Sequence, residues 1–197
     1  MAEIVVRRLL NPTEDEIEQA AAVLNKAFLN PPDPFFHSLT GGKPRPRYFG
    51  PPRTYICAVA VWFGPGTDIL ETEEQRAVAR WGEFVSKLTP EQKKWRSEYF
   101  IPRYYDAMAS CIGEGTSIKS WHLDLLGTDP EHQRKGLSSA LIRAVESKAK
   151  AEGTMMVLET TNDPNVAYYQ KLGFVVRGAV SIVGSGGEIT LTSLSKA

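Results

Sequence analysis

DLLGTDPEHQRKGLSSAL, residues 124–141, reads as an apolar strand that stops at Pro130 and restarts as a helix. Between strand and helix sits the turn Gln133-Arg134-Lys135-Gly136-Leu137-Ser138. At such a helix start the N–H groups of Arg134, Lys135, Gly136, Ser138 and Ser139 can converge on an anion, and the helix dipole adds partial positive charge. Gly136 permits a ligand to approach the backbone closely. Arg134 and Lys135 either add charge-assisted contacts or are ordinary solvated cations. The turn lacks the Gly-Lys-Ser/Thr of a Walker loop and the three spaced glycines of a dinucleotide fingerprint, so neither class fits.

Downstream, Gly136 to Glu152 carries Leu137, Ala140, Leu141, Ala144, Val145 and Ala149 at helical spacing, with Gly153 as C-cap. Trp121–Thr128 and Thr154–Thr161 read as the strands on either side of this helix. Asp163-Pro164 opens a short helix closed by Gly173, and strands Phe174–Val183 and Glu188–Leu194 flank the glycine turn 184–187. Upstream, Glu3 to Leu10 alternates weakly and suits a first strand. Thr13 with Glu16 is a capping box ahead of Ile17, Ala20, Ala21, Leu24 and Phe28, a pattern stopped by Pro31-Pro32. Asn30 to Arg53 is a proline- and glycine-rich loop lined by Phe35, Phe36, Tyr48 and Phe49, and Tyr55–Phe63 is a buried strand. Thr72 with Gln75 caps a helix carrying Val78, Trp81, Val85 and Leu88. Thr89-Pro90-Glu91-Gln92 caps the next, which Pro102 must bend or end.

With 197 residues and 42% apolar composition, the chain can bury a full core without disulfides or metal, so a single domain over 1–197 is expected. Basic and acidic residues balance at 23 each, which leaves no long-range field to draw nucleic acid or an acidic membrane surface. Neither partner is expected. Cys57 and Cys111 show no ligand spacing, so free, reduced, buried thiols and no structural metal are expected. No stretch reaches the roughly 18 apolar residues of a membrane span, and a cytoplasmic location is expected.

The turn resembles the acyl-CoA-binding motif of the GNAT superfamily of N-acetyltransferases, (Gln/Arg)-x-x-Gly-x-(Gly/Ala), with Ser138 in the last small position. A second element, NDPNVAYYQKLGF from Asn162 to Phe174, resembles the Asn-x-x-x-Tyr-x-x-Leu-Gly-Phe signature of the same superfamily. Within it, Trp121, Leu123, Gly127, Pro130, His132 to Leu137, Leu158-Glu159-Thr160, Asn165 and Tyr169 look closest to puromycin N-acetyltransferase and its relatives. The resemblance covers Trp121 to about Val176 well and the first strand and helix loosely. It departs from the family between the first helix and the Tyr55 strand, where little room remains for a second helix and strand, and in a long helical insertion at about 70–112 on the acceptor side. The resemblance implies an α/β (α+β) GNAT fold: a central mixed, mostly antiparallel sheet with helices on both faces. That sheet would splay between the family's fourth and fifth strands, here Trp121–Thr128 and Thr154–Thr161.

It also implies acetyl-CoA as cosubstrate and no metal. The pantetheine arm would lie beside the strand end, with backbone groups of Leu126 and Thr128 as partners, and Gly127 would suit a bulge that splays the strand. Gln133 to Ser139, with Leu137 among them, would form the pyrophosphate turn. Tyr169 would protonate the departing thiolate, unless it is a packed core tyrosine. Asn165, one turn earlier on the same helical face, would bond the pantetheine amide or else cap the helix.

For the base, His122 and Asp124 share a face of the strand by its period of two, with Leu123 and Leu125 on the other. His122 stands where one branch of the superfamily carries a catalytic glutamate. Neutral imidazole could take an ammonium proton, although two neighbouring ionisable groups often simply pair. Glu159, on the next strand, is the third candidate and could instead bind the acceptor. The aromatics Phe28, Phe35, Phe36, Trp62, Trp81, Tyr99, Tyr104 and Tyr105 fall around the acceptor side, most as core and a minority as cleft lining. The expected activity is acetyl transfer to a primary amine of a small molecule, with antibiotics and other xenobiotics among the candidates, by a monomer or homodimer. The alternatives are protein or peptide N-acetylation and a non-catalytic acyl-CoA-binding regulator.

Overall fold

The computed structural model describes residues 3–29, 32–33, 38, 55–184 and 187–197. Five strands form one open mixed sheet in the order β1-β2-β3-β5-β4. They are β1 (Ala58–Phe63), β2 (Trp121–Thr128), β3 (Met156–Thr160), β4 (Val175–Gly184) and β5 (Gly187–Lys196). Only β2 and β3 run parallel, joined by the crossover helix α6 (Leu137–Glu152), as parallel neighbours require. The remaining helices are α1 (Glu14–Leu29), α2 (Glu73–Val78), α3 (Trp81–Ser86), α4 (Pro90–Lys94), α5 (Ile101–Ile112) and α7 (Asp163–Lys171). None of the described helices is long and apolar enough to cross a membrane.

The helix starts follow from their caps. Reciprocal bonds join Thr13 to Glu16, Thr72 to Gln75 and Thr89 to Gln92. Gly153, at φ 65°, ends α6 in the left-handed conformation that a glycine adopts without strain. The segment read as one helix from Thr72 is two, because Arg80 turns left-handed at φ 52° between α2 and α3. Pro102 neither ends nor breaks its helix. A π-helical stretch, Trp95–Phe100, leads directly into α5, with the Ile101 N–H reaching the Arg96 carbonyl. The wider turn places Pro102 in the first turn of α5, where its missing N–H costs little.

Two apolar layers sandwich the sheet. Trp121, Leu123, Ile142, Ala149, Leu158 and Tyr169 join the sheet to α6 and α7, and Phe100, Ile182 and Leu191 join the other face to α5. The side chain of Thr128 meets Ser138 of α6, whereas a Cβ on the adjacent Gly127 would meet Leu24 and Ala27 of α1. Alternation therefore sets α1 on the face opposite α6.

Two expectations are corrected here. Glu3–Leu10 forms no strand and pairs with none of the described ones, and Val5 and Leu10 are 82% and 70% exposed. With neither face buried, its weak alternation selects no ladder register. Arg7 ties it to Glu16 of α1. The second correction concerns Gly127, which pairs in register with Val59 and lies at no bulge. Its missing side chain is required by α1, since a Cβ there would lie 3.0 Å from Leu24 Cδ2 and 3.1 Å from Ala27 Cβ. The bulge falls at Asp124 instead: Val61 pairs with Leu125 and Trp62 with Leu123, leaving Asp124 as the extra residue. Leu123 and Leu126 both pack on the α6 side in consequence, which strict alternation forbids. Most of the Asn30–Arg53 loop, with Phe35, Phe36, Tyr48 and Phe49, lies outside the described residues, as do residues 185–186 of the glycine turn.

Candidate active site

The sheet parts where the family resemblance implied a split. β2 pairs with β3 only at Trp121, His122 and Leu123, although it runs on to Thr128. On its other side the Asp129 N–H donates to the Cys57 carbonyl at 2.9 Å, while Thr128 faces Ala58 and Leu126 faces Ala60. In an antiparallel pair, bonded positions alternate with positions whose N–H and C=O point the opposite way. With Asp129 bonded, Leu126 and Thr128 direct their main-chain groups away from β1, toward the space that β3 has left. A strand-like ligand can complete the ladder there.

The turn that follows is tightly held yet leaves its amides open. The Asp129 carboxylate is 2% exposed, caps the Pro130–His132 turn through the Glu131 N–H at 3.1 Å, and pairs with Lys26 of α1 at 2.7 Å. Lys135 is drawn back onto the Glu131 carbonyl at 3.0 Å. Arg134 and Gly136 both adopt left-handed conformations, at φ 62° and 83°. The N–H groups of Arg134, Lys135 and Gly136 have no hydrogen-bond partner among the described residues. Leu137, Ser138 and Ser139 form the first turn of α6, whose N–H groups lack intrahelical acceptors, and no side chain caps it. The hydroxyls of Ser138 and Ser139 are engaged sideways, with Thr128 at 2.7 Å and Tyr168 at 3.1 Å, which ties α6 to β2 and α7. Gln133, Arg134, Lys135 and Gly136 are exposed. Six successive amides at a helix N-terminus beside an open strand edge suit a pyrophosphate followed by an amide-bearing chain, which is the chemistry of coenzyme A.

Tyr169 of α7 is 7% exposed, against Tyr168 and Phe174, and its hydroxyl has no hydrogen-bond partner among the described residues. Burial, with the nearby Tyr168, holds its proton more tightly than in water. Asn165 is exposed one turn earlier on the same helix; Asn162, not Asn165, is the cap residue.

On the α1 and α5 side of the sheet lies a charged cluster. His122 Nε2 is 2.9 Å from Glu159 Oε2, and both side chains are 9% exposed. Tyr104 donates to the same Glu159 oxygen at 3.0 Å, whereas Glu159 Oε1 is buried without a partner. His122 Nδ1 lies 3.5 Å from Ser117 Oγ. Burial disfavours the charged imidazole, but the bond and charge of Glu159, then the charges of Asp124 and Asp68, outweigh it and raise the His122 pKa. Asp124 accepts no hydrogen bond among the described residues. Burial pushes its pKa from 3.8 up to about 6, with His122 opposing and Glu159 and Asp68 adding. Burial, then the charge and bond of Glu159, hold Tyr104 firmly protonated.

The structure thus brings His122, Asp124 and Glu159 together and sets Leu126, Thr128 and the turn residues along one open edge. Sequence reasoning missed Asp68 and Ser117, which carry no local motif, and gave Tyr104 no particular role. Of the expected acceptor-side aromatics, Trp62, Tyr99 and Tyr104 pack against the core, while Tyr105 is exposed. Cys57 and Cys111 are free and half-buried rather than buried. Asp129, Glu131 and His132 bring ligand-type atoms within 4.8 Å of one another, but Lys26 already occupies Asp129.

Residues 67–174, just over half of the chain, match the model of the acetyltransferase (GNAT) family, and the chain belongs to that family. Among solved structures, it is similar to the ribosomal-protein-S18-alanine N-acetyltransferase from Escherichia coli, with 23% identity over 39% of this chain and 52% of that one, at a TM-score of 0.35. It is also similar to the polyamine N acetyltransferase of Drosophila melanogaster, with 18% identity over 73% and 70% of the two chains, at 0.48. A third is Arabidopsis thaliana NAA60 in complex with acetyl-CoA, with 15% identity over 40% and 49%, at 0.36. The chain spans about half the length of the first of these.

Proposed function

We propose that this protein transfers an acetyl group from acetyl-CoA to the primary amine of a small molecule. The observation that carries this reading is the coincidence, among the described residues, of an open β2 edge at Leu126 and Thr128 with six unpaired amides at the adjoining helix start. Bound acetyl-CoA supplies the acetyl group activated as a thioester. The amides of Arg134 to Ser139 hold its pyrophosphate, Leu126 and Thr128 pair with the pantetheine arm, and Asn165 bonds a pantetheine amide. The Leu126 N–H polarises the thioester carbonyl as charge develops on it.

The amine arrives as ammonium and must lose a proton before its nitrogen can bond to the acetyl carbon. Both His122 nitrogens face protein partners and Glu159 Oε1 is enclosed, whereas Asp124 accepts no hydrogen bond among the described residues, so Asp124 takes that proton and the His122–Glu159 pair supports it. A carboxylate pKa of about 6 suits the role near neutral pH. When the carbon–sulfur bond breaks, Tyr169 gives its proton to the thiolate, the acylated nitrogen sheds its second proton to solvent, and solvent reprotonates Tyr169. The sequence resemblance to puromycin N-acetyltransferase and its relatives favours a small-molecule acceptor.

Free-thiol release from acetyl-CoA, measured against a panel of small amines and an N-terminal peptide series, tests the proposal. Turnover with small amines is the expected result. Turnover confined to peptides would overturn the acceptor class, and acetyl-CoA binding without turnover on any acceptor would leave a regulator.

A further inference from the structure

The charged cluster beside the proposed base holds more negative charge than one amine can meet. Asp124 and Glu159 lie with Asp68, which accepts a bond from Tyr105 at 3.2 Å, next to the Tyr104 that bonds Glu159. The two tyrosine rings meet edge to face at 5.6 Å, so they link the carboxylates into one wall. Among the described residues no Lys or Arg pairs with Asp68, Asp124 or Glu159; His122 is their one cationic neighbour. Glu71 adds a further carboxylate near Tyr105. Glu159 Oε1, on a side chain 91% buried by its 9% exposure, has no donor among the described residues. Buried acceptors are ordinarily satisfied, so a carboxylate oxygen partnerless among the described residues leaves room for a donor on a ligand. An amine that gives up its proton to Asp124 no longer carries the charge that could satisfy this wall.

We propose that the acceptor is a small diamine or an amine bearing a guanidine, whose second cationic group binds against Asp68, Glu159 Oε1 and the Tyr104 and Tyr105 hydroxyls. This rests on the acetyltransferase reading above and specifies its substrate. One end stays charged against this wall, and Glu159 must turn its enclosed Oε1 toward it, while the other end is acetylated. Asp68 is then a specificity-determining residue that does not touch the reacting atoms.

The test compares 1,4-diaminobutane with n-pentylamine, in which a methyl group replaces the second ammonium. In the intact protein kcat/KM for thiol release should be about tenfold or more higher for the diamine, the equivalent of one well-placed charge pair. Asp68→Asn should bring that ratio below about threefold, with the pentylamine rate as the internal reference for any change in the Asp124 base, and Asp68→Glu should restore it. A wild-type ratio below about threefold, or a preference that survives Asp68→Asn, would overturn the proposal. Thermal shift by the two amines gives a readout independent of turnover. If no amine releases thiol, the acetyltransferase reading fails. Selective stabilisation by the diamine, lost in Asp68→Asn, would still establish the cationic site, and equal shifts would refute it.

Discussion

Replacing Asp124 by asparagine should make the protein more stable and less active. The half-buried carboxylate accepts no hydrogen bond among the described residues, and loss of hydration raises its pKa from 3.8 to about 6. A raised pKa means that the folded state binds the proton more tightly than the unfolded chain. Below pH 3.8 both states are protonated and Asp124 costs nothing. As pH rises the unfolded chain releases its proton first, so this residue's contribution to stability falls until about pH 6 and then stays constant. The displacement amounts to about 3 kcal/mol above pH 6, of which an equally half-buried amide recovers only part, so about 2 kcal/mol is expected. In a domain of this size that corresponds to a Tm gain of about 4–8 °C at pH 7.5, shrinking toward zero near pH 4. Calorimetry or urea unfolding of both proteins at the two pH values measures it. Thiol release by the same variant should drop about a hundredfold or more, as loss of a general base implies. An Asn variant that is less stable than the parent at pH 7.5 would show that the carboxylate is engaged, and Asp124 would then be neither open nor poised.

His122→Gln should cost less activity than Asp124→Asn, because both imidazole nitrogens already face protein groups; a loss above about a hundredfold would return the base role to His122. Gly136→Val forces a β-branched residue to φ 83°, at a cost of roughly 1–2 kcal/mol. The variant should fold yet lose the thermal stabilisation that acetyl-CoA gives the parent, and full retention of that shift would refute the pyrophosphate turn. Tyr169→Phe should keep acetyl-CoA affinity while turnover falls roughly ten- to ten-thousandfold, and unchanged turnover with a chemically limited acceptor would reduce Tyr169 to packing. Gly127→Ala should destabilise by about 1–3 kcal/mol, since the new methyl must displace Leu24 and Ala27 on α1, and unfolding titrations would reveal a neutral effect if α1 yields.

The stretch from Trp121 to Phe174 was legible because its signals are local: an apolar run, a proline stop, a left-handed glycine and a helical period all sit within one strand-turn-helix unit. The sheet split after Leu123 was legible through the resemblance alone. What escaped is set by partners distant in sequence. The bulge at Asp124 exists only in the pairing with Val61 and Trp62, and no residue at 124 announces it. Gly127 looked like a bulge residue, but its size is dictated by Leu24, about a hundred positions away in the chain. Asp68 and Tyr104 reach the Glu159 neighbourhood from elements with no shared motif, so their meeting could not be read from spacing. Glu3–Leu10 has strand composition and still lacks a ladder, because β-propensity reports fit to a packed surface rather than a backbone preference.

The short β2–β3 ladder also has a mechanical consequence. Three rungs, at Trp121, His122 and Leu123, are the only described strand pairing between a β1–β2 leaf and a β3–β5–β4 leaf. Farther along, the leaves separate like covers held at one end of a spine. A ligand pairing with Leu126 and Thr128 would act as a stitch across that opening. Amide exchange along the free end of β2 would then slow in proportion to ligand occupancy, while the three rungs remained protected with or without it.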